Sequence, residues 1–320
     1  MNKYELLKDD SVEVDGHILY RIRALRDLPG VRAGETGGYI ESEQNLSQDG
    51  TCWVYDDAWV YENARIFDDA RVFGESRVFG NAQVFCDARV FWDAWVYGNA
   101  QVYEHAHVSE HSRVYGNARV YEDARVYGNA RIFDDARIYG NAQVFGDSQV
   151  YEDAYVFRYA RVYGHVRVYG YAQVYGMVEV FGNAWVFENA LIFGNSRVYD
   201  TARVSGDTLV FGDARVYGNA QVSGNALIFD SAEVYENAHV YEYAQVSGKA
   251  QVSGKAQVFG RANVFENALV YGNARVYKNA MVYGHSNVFE NAQVYGSARV
   301  YGNAQVYGDT QVSGDEEISS

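Results

Sequence analysis

From Val54 to Ile318 every sixth residue is Val or Ile, over 45 positions without an insertion or an exception. Numbering that residue 1 of a hexad, position 2 is Tyr or Phe in 38 hexads and Ser in the other seven. Position 3 is mostly Gly, Glu or Asp, position 4 mostly Asn or Asp, position 5 small, and position 6 mostly Arg or Gln. One hexad reads Val120-Tyr121-Glu122-Asp123-Ala124-Arg125. A short fixed period of this kind is the mark of a solenoid. Side chains alternate across a strand, so positions 5 and 1 share one face and positions 6 and 2 the other. Arg cannot be buried unpaired at so many sites, so the Ala–Val face points inward and the rings and guanidiniums outward. Positions 3 and 4 then form the corner, where Gly accepts unusual dihedrals and Asn tolerates the left-handed region. Each hexad is a short strand plus a turn, and a one-residue slip would bury the arginines.

The hexad is missing from residues 1–50, which divide differently. Ser11-Val12-Glu13-Val14 and His17-Ile18-Leu19-Tyr20-Arg21-Ile22 flank Asp15-Gly16, a hairpin signal. We expect a β-hairpin cap over 1–50 that closes the open edge of the first coil, a solenoid over 51–314, and an acidic tail over 315–320. The tail follows from Glu316, which falls on an inward position and should stop the coil near Val312.

Small-x-aliphatic at six-residue spacing, as in Ala124-Arg125-Val126, resembles the hexapeptide repeat. That resemblance implies an all-β, single-stranded left-handed parallel β-helix with 18 residues per triangular coil, here about 15 coils. Position 2 departs from the pattern, being aromatic where the family commonly has a small or acidic residue. Arg21-Ile22-Arg23-Ala24-Leu25, Ala33-Gly34, Gly37-Gly38-Tyr39-Ile40-Glu41, Asn45-Leu46-Ser47-Gln48 and Cys52-Trp53-Val54-Tyr55 look like bacterial and phage hexapeptide-repeat proteins of the YdcK type. Those are acetyltransferase-like by fold analogy, and the resemblance brings no assigned catalytic residue.

The formal charge of −15 argues against nucleic acid as a partner, because phosphate-backbone binding needs a basic surface. No apolar run reaches the length of a membrane span, and residues 1–7 lack the apolar core of a signal peptide. The two cysteines, Cys52 and Cys86, lie about two coils apart in this register, too far for a disulfide, and a cytoplasmic location is expected.

Residues 18 apart should stack at about 4.8 Å. One ladder would hold Tyr61, Phe79, Tyr97, Tyr115, Phe133, Tyr151 and Tyr169; another would hold Phe85, Tyr103, Tyr121 and Tyr139. Stacked rings stabilise a sheet, and stripes this long also mark an association surface. Self-association through solenoid faces or ends is the expected partner mode, with carbohydrate stacking a weaker alternative. Ser205, Ser223, Ser247 and Ser253 interrupt the ladders, and Lys249, Lys255 and Arg261 bring a local basic patch.

An acyl-CoA-dependent acyltransferase is the alternative that the family resemblance raises, with coenzyme A as its cofactor; otherwise none is expected. Its base would be a histidine. The weak candidate is His107, which projects outward, whereas His105 and His111 sit on corners and are not expected to converge with it. No spacing suits a metal site, and no catalytic residue is assigned otherwise. The coil carries no inserted loop on which a pocket could be built. A non-catalytic structural or binding solenoid is therefore the leading expectation.

Overall fold

The computed structural model describes residues 2–319, all of them in strands, turns or irregular segments, with no helix. Packing groups the chain into two compact units, residues 1–159 and 160–320.

The first unit opens with β1 (Tyr4–Val14) and β2 (His17–Ala24), an antiparallel hairpin turning at Asp15-Gly16 as its sequence predicts. Then β3 (Thr36–Ile40) pairs antiparallel with β2 on one side and parallel with Trp59–Val60 on the other. It is the element that converts a hairpin into a coil. Gly37 and Gly38 permit this, since a Cβ on Gly37 would meet Trp53 Nε1 at 2.8 Å and one on Gly38 would meet Val54 Cγ1 at 2.7 Å.

Beyond β3 the parallel strands build three walls. In this unit the walls begin at Trp53–Val54, Trp59–Val60 and Arg65–Ile66, and most strands hold only positions 6 and 1 of a hexad. Within the unit the strands pair in parallel with those 18 residues later, as Arg89 does with His107 and His107 with Arg125. The second unit repeats the scheme from Arg161–Val162, Arg167–Val168 and Gln173–Gly176. Besides the bonds within the strand pairs, its backbone ladder, like that of the first unit, uses three kinds of donor per hexad toward the next coil. Position 6 N–H bonds to the position 5 carbonyl one coil on (Arg77 to Ala94, 2.9 Å), position 2 to position 1 (Tyr97 to Val114, 3.0 Å) and position 4 to position 3 (Asn99 to Gly116, 2.7 Å). The inward face is as expected: Ala124, Val126, Ala130 and their equivalents are fully buried.

Three expectations are corrected. At the corner it is position 3 alone that turns left-handed, at φ near +57° for Glu122 and +72° for Gly128, and no Asn does so among the described residues. Position 4 instead forms an amide ladder, Asn63 to Asn81 to Asn99 to Asn117 to Asp135, each Nδ2 donating to the next side-chain oxygen at 3.0–3.2 Å.

The coil also starts before residue 51. Ile40 pairs with Val60 and Leu46 with Ile66, twenty positions apart rather than eighteen. This first turn carries two extra residues, which hides it from a six-residue period. Its core is filled from the cap, where Lys3, Tyr4, Leu19 and Ile22 are buried. The Lys3 ammonium donates to the Cys52 carbonyl at 3.0 Å and to Asp49 O at 3.3 Å, and the Tyr4 hydroxyl donates to Leu46 O at 2.7 Å. Arg21 rivets the hairpin to the coil through Asp10 (2.9 Å), Gly37 O (3.0 Å) and Asp57 (3.0 Å).

The acidic tail, finally, is a strand. Glu317–Ser319 pairs in parallel with Arg299–Tyr301, and the coil does not stop at Val312. Glu316 tolerates its inward position because it lies exposed in the last coil, accepting the Ser313 N–H at 3.3 Å. The cysteines are free, Cys52 being buried.

Candidate functional site

The walls carry the side chains that could bind anything, and their geometry follows from the register. In the first unit Tyr61, Phe79, Tyr97, Tyr115, Phe133 and Tyr151 stack with centroids 4.8–5.0 Å apart. Phe67, Phe85, Tyr103, Tyr121, Tyr139 and Phe157 do the same at 4.7–4.9 Å, with planes within 4° of parallel. In the second unit Tyr169 stacks on Phe187 at 5.0 Å, and Ser205 ends that run. The rings spend their faces on each other and present their edges, so most are only half-exposed and Tyr61 is buried. Burial and the neighbouring phenols Tyr103 and Tyr139 push the Tyr121 hydroxyl up to about 12, and burial raises Tyr97, Tyr103, Tyr115 and Tyr139 as well.

Position 6 alternates with those rings. On one wall Trp95 is held between the guanidiniums of Arg77 (5.0 Å) and Arg113 (4.8 Å), a cation–π sandwich. On the wall beginning at Trp53 the order is Arg71, Arg89, His107, Arg125, each paired with the next. The ring of His107 is half-buried and meets Phe91 edge-on at 6.0 Å. Burial first, then Arg89 and Arg125, hold its pKa below the usual imidazole value.

Positions 4 and 6 flank the small inward residue 5, so their side chains form the two banks of a shallow groove along each edge. One such groove, about 390 Å³, is lined by Asp87, Arg89, His105, His107, Asp123 and Arg125. Here the expectation for the histidines is corrected in part: His105, on the corner, and His107, on the wall, share this groove. They do so because only one inward residue separates them. His105 Nδ1 lies 3.7 Å from Asp87. His111 belongs elsewhere, 3.4 Å from Asp93 in a groove of about 540 Å³ with Gly74, Glu75, Trp92 and Glu110.

The basic residues Lys249, Lys255 and Arg261 do not form a patch. They precede Gln251, Gln257 and Asn263, which lie on three different walls, so each points from a different edge of one coil. Trp92 escaped the sequence reading. It replaces the usual Gly or acid at a left-handed corner (φ +61°) and is 55% exposed. Its departure from the position 3 alphabet was the available signal.

Fold and surface together define a parallel β-solenoid with ribbed, loop-free walls. Residues 112–126, 136–152, 160–176, 220–236, 268–284, 292–308 and 298–314 match the family described as YdcK Beta solenoid repeat. A curated relative, "Uncharacterized acetyltransferase YdcK" of Escherichia coli (strain K12), is 40% identical over 63 residues, 18% of this chain and 19% of the relative. The chain therefore aligns with about a fifth of that relative's length. Over those residues the coil is similar to β-solenoids of the YdcK type.

Proposed function

We propose that the chain is a non-catalytic binding scaffold whose aromatic walls associate with further copies of itself. The observation carrying this reading is the pair of six-ring ladders in the first unit, in register and with their edges toward solvent. A second ribbed wall can interdigitate with such edges, burying apolar area at little entropic cost, since the rings are already held. Tyr97, Tyr115 and Tyr151 changed together to Ser would abolish a concentration-dependent rise in mass measured by light scattering. Ser already occupies this ladder at 205 and 223, so the coil tolerates it. A wild-type chain that stays monomeric at high concentration would defeat the proposal.

One observation favours a second reading, acyl transfer from coenzyme A. His107 is held toward its neutral form on one bank of a groove, as a general base must be, and the relative's printed name points the same way. The groove is open and no loop encloses an acceptor, which is why this reading stands second. Acetyl-CoA binding by calorimetry, lost in His107→Ala, would support it.

A further inference from the structure

The position 6 ladder disposes of its charge in two ways. In the second unit Glu179 lies between Arg161 and Arg197 and pairs with both, at 3.3 and 3.1 Å, and Glu233 pairs with Arg215 at 3.3 Å. The first unit, on another wall, uses a ring: Trp95 takes Arg77 and Arg113. The ladder Arg71, Arg89, His107, Arg125 has neither device. Among the described residues none of its three guanidiniums makes a hydrogen bond, an ion pair or a cation–π contact. Like charges held side by side on one face are destabilising, and here they persist in a chain whose formal charge is −15.

We propose that Arg89, His107 and Arg125 form a binding site for the phosphate group of a small ligand. The two arginines stand one strand spacing to either side of His107, about 4.8 Å each way, a distance that a guanidinium spans by rotating its stem. Both can then converge on a single oxyanion seated over the imidazole, each with two parallel N–H donors. A dianionic phosphate balances two guanidiniums, and its oxygens take up donors that now have no acceptor. His107 completes the site as a third donor when the anion arrives, because the anion offsets the repulsion from Arg89 and Arg125 that adds to burial in lowering its pKa. Asp87 and Asp123, on the opposite bank, repel the anion from the corner and so direct it to the wall; His105, beside Asp87, lies on that bank. The site needs neither self-association nor acyl transfer.

Inorganic phosphate titrated into the full chain at constant ionic strength tests this, read by the His107 ring resonances in NMR. The expected result is a saturable shift and a His107 pKa that rises with phosphate. Charge-assisted bonds of this kind make the double variant R89Q/R125Q bind at least about tenfold more weakly, while Arg167→Gln in the second unit leaves binding unchanged. Gln occupies the same ladder at 143, so the variant should fold, and its melting curve checks that. Absence of a saturable shift in wild type would overturn the proposal, as would a folded R89Q/R125Q that binds as wild type does. A loss in R167Q equal to that in the double variant would also overturn it, by showing only diffuse charge attraction.

Discussion

At the scale of single residues the corner decides what position 3 can be. Its backbone is left-handed at every coil, which costs a residue with a Cβ roughly 1–2 kcal/mol. The N–H at that position has no place in the backbone ladder, and an acid one coil earlier supplies its acceptor. Glu188 accepts from Gly206 N–H at 2.6 Å, Asp200 from Gly218 at 3.1 Å and Glu236 from Gly254 at 2.6 Å. Gly and Glu/Asp thus share position 3 for opposite reasons, one avoiding the strain and the other offsetting it with a hydrogen bond. Glu188→Ala loses the bond and keeps the strain, so it should lower stability by about 1 kcal/mol. Glu188→Gly loses both and should cost clearly less; chemical denaturation of the two variants gives the comparison.

His107 offers a second test at this scale. Its folded pKa lies below the unfolded value, so the unfolded chain binds the proton first as pH falls. Stability should therefore be greater above about pH 6.5 and decline as pH drops through the folded pKa. The groups facing the ring are Arg89, Arg125, Asp123 and His105. Arg89→Gln should weaken this dependence, because it removes the larger of the two arginine contributions, and pH-dependent melting would show it.

At the scale of elements the tyrosine ladders tie stability to alkaline pH. Their phenols titrate above the ordinary value of about 10, chiefly because stacking removes water from them. The raised folded pKa means that stability is full below pH 10 and is lost as pH rises through the folded values. Thermal melting followed from pH 8 to 12, with phenolate absorbance at each step, should show unfolding and ionisation arriving together. Ionisation well below unfolding would mean that the rings are wetter than their stacking implies.

The same scale explains what could be read from the chain. A fully buried Val every sixth residue leaves no freedom of register, so walls, ladders and inward face were all legible. The first turn was not. Between Ile40 and Val60 the two additional residues and the cap-derived core, with Lys3 and Tyr4 inside, erase the period. The last strand was missed for a related reason: Glu316 is a poor inward residue only where another coil covers it. In the groove, the approach of His105 and His107 is hidden in the sequence because corner and wall read as separate faces, although a single small residue lies between them.

For the whole molecule the side of each strand that faces in decides the rest. Every ladder, groove and ion pair above depends on positions 5 and 1 lying inside while 6 and 2 lie outside. Ala124 and Arg125 are adjacent in sequence, yet one is fully buried and the other exposed. Ala124→Asp places an unpaired carboxylate in the interior and should cost more than about 3 kcal/mol; Arg125→Asp changes a solvated side chain and should stay within about 1 kcal/mol. The cooperative melting of these two variants beside the wild type is the most direct measurement. Collapse of Ala124→Asp with Arg125→Asp near wild type is the predicted outcome. Equal tolerance of both, or the reverse order, would contradict the assignment of inside and outside on which the structure rests.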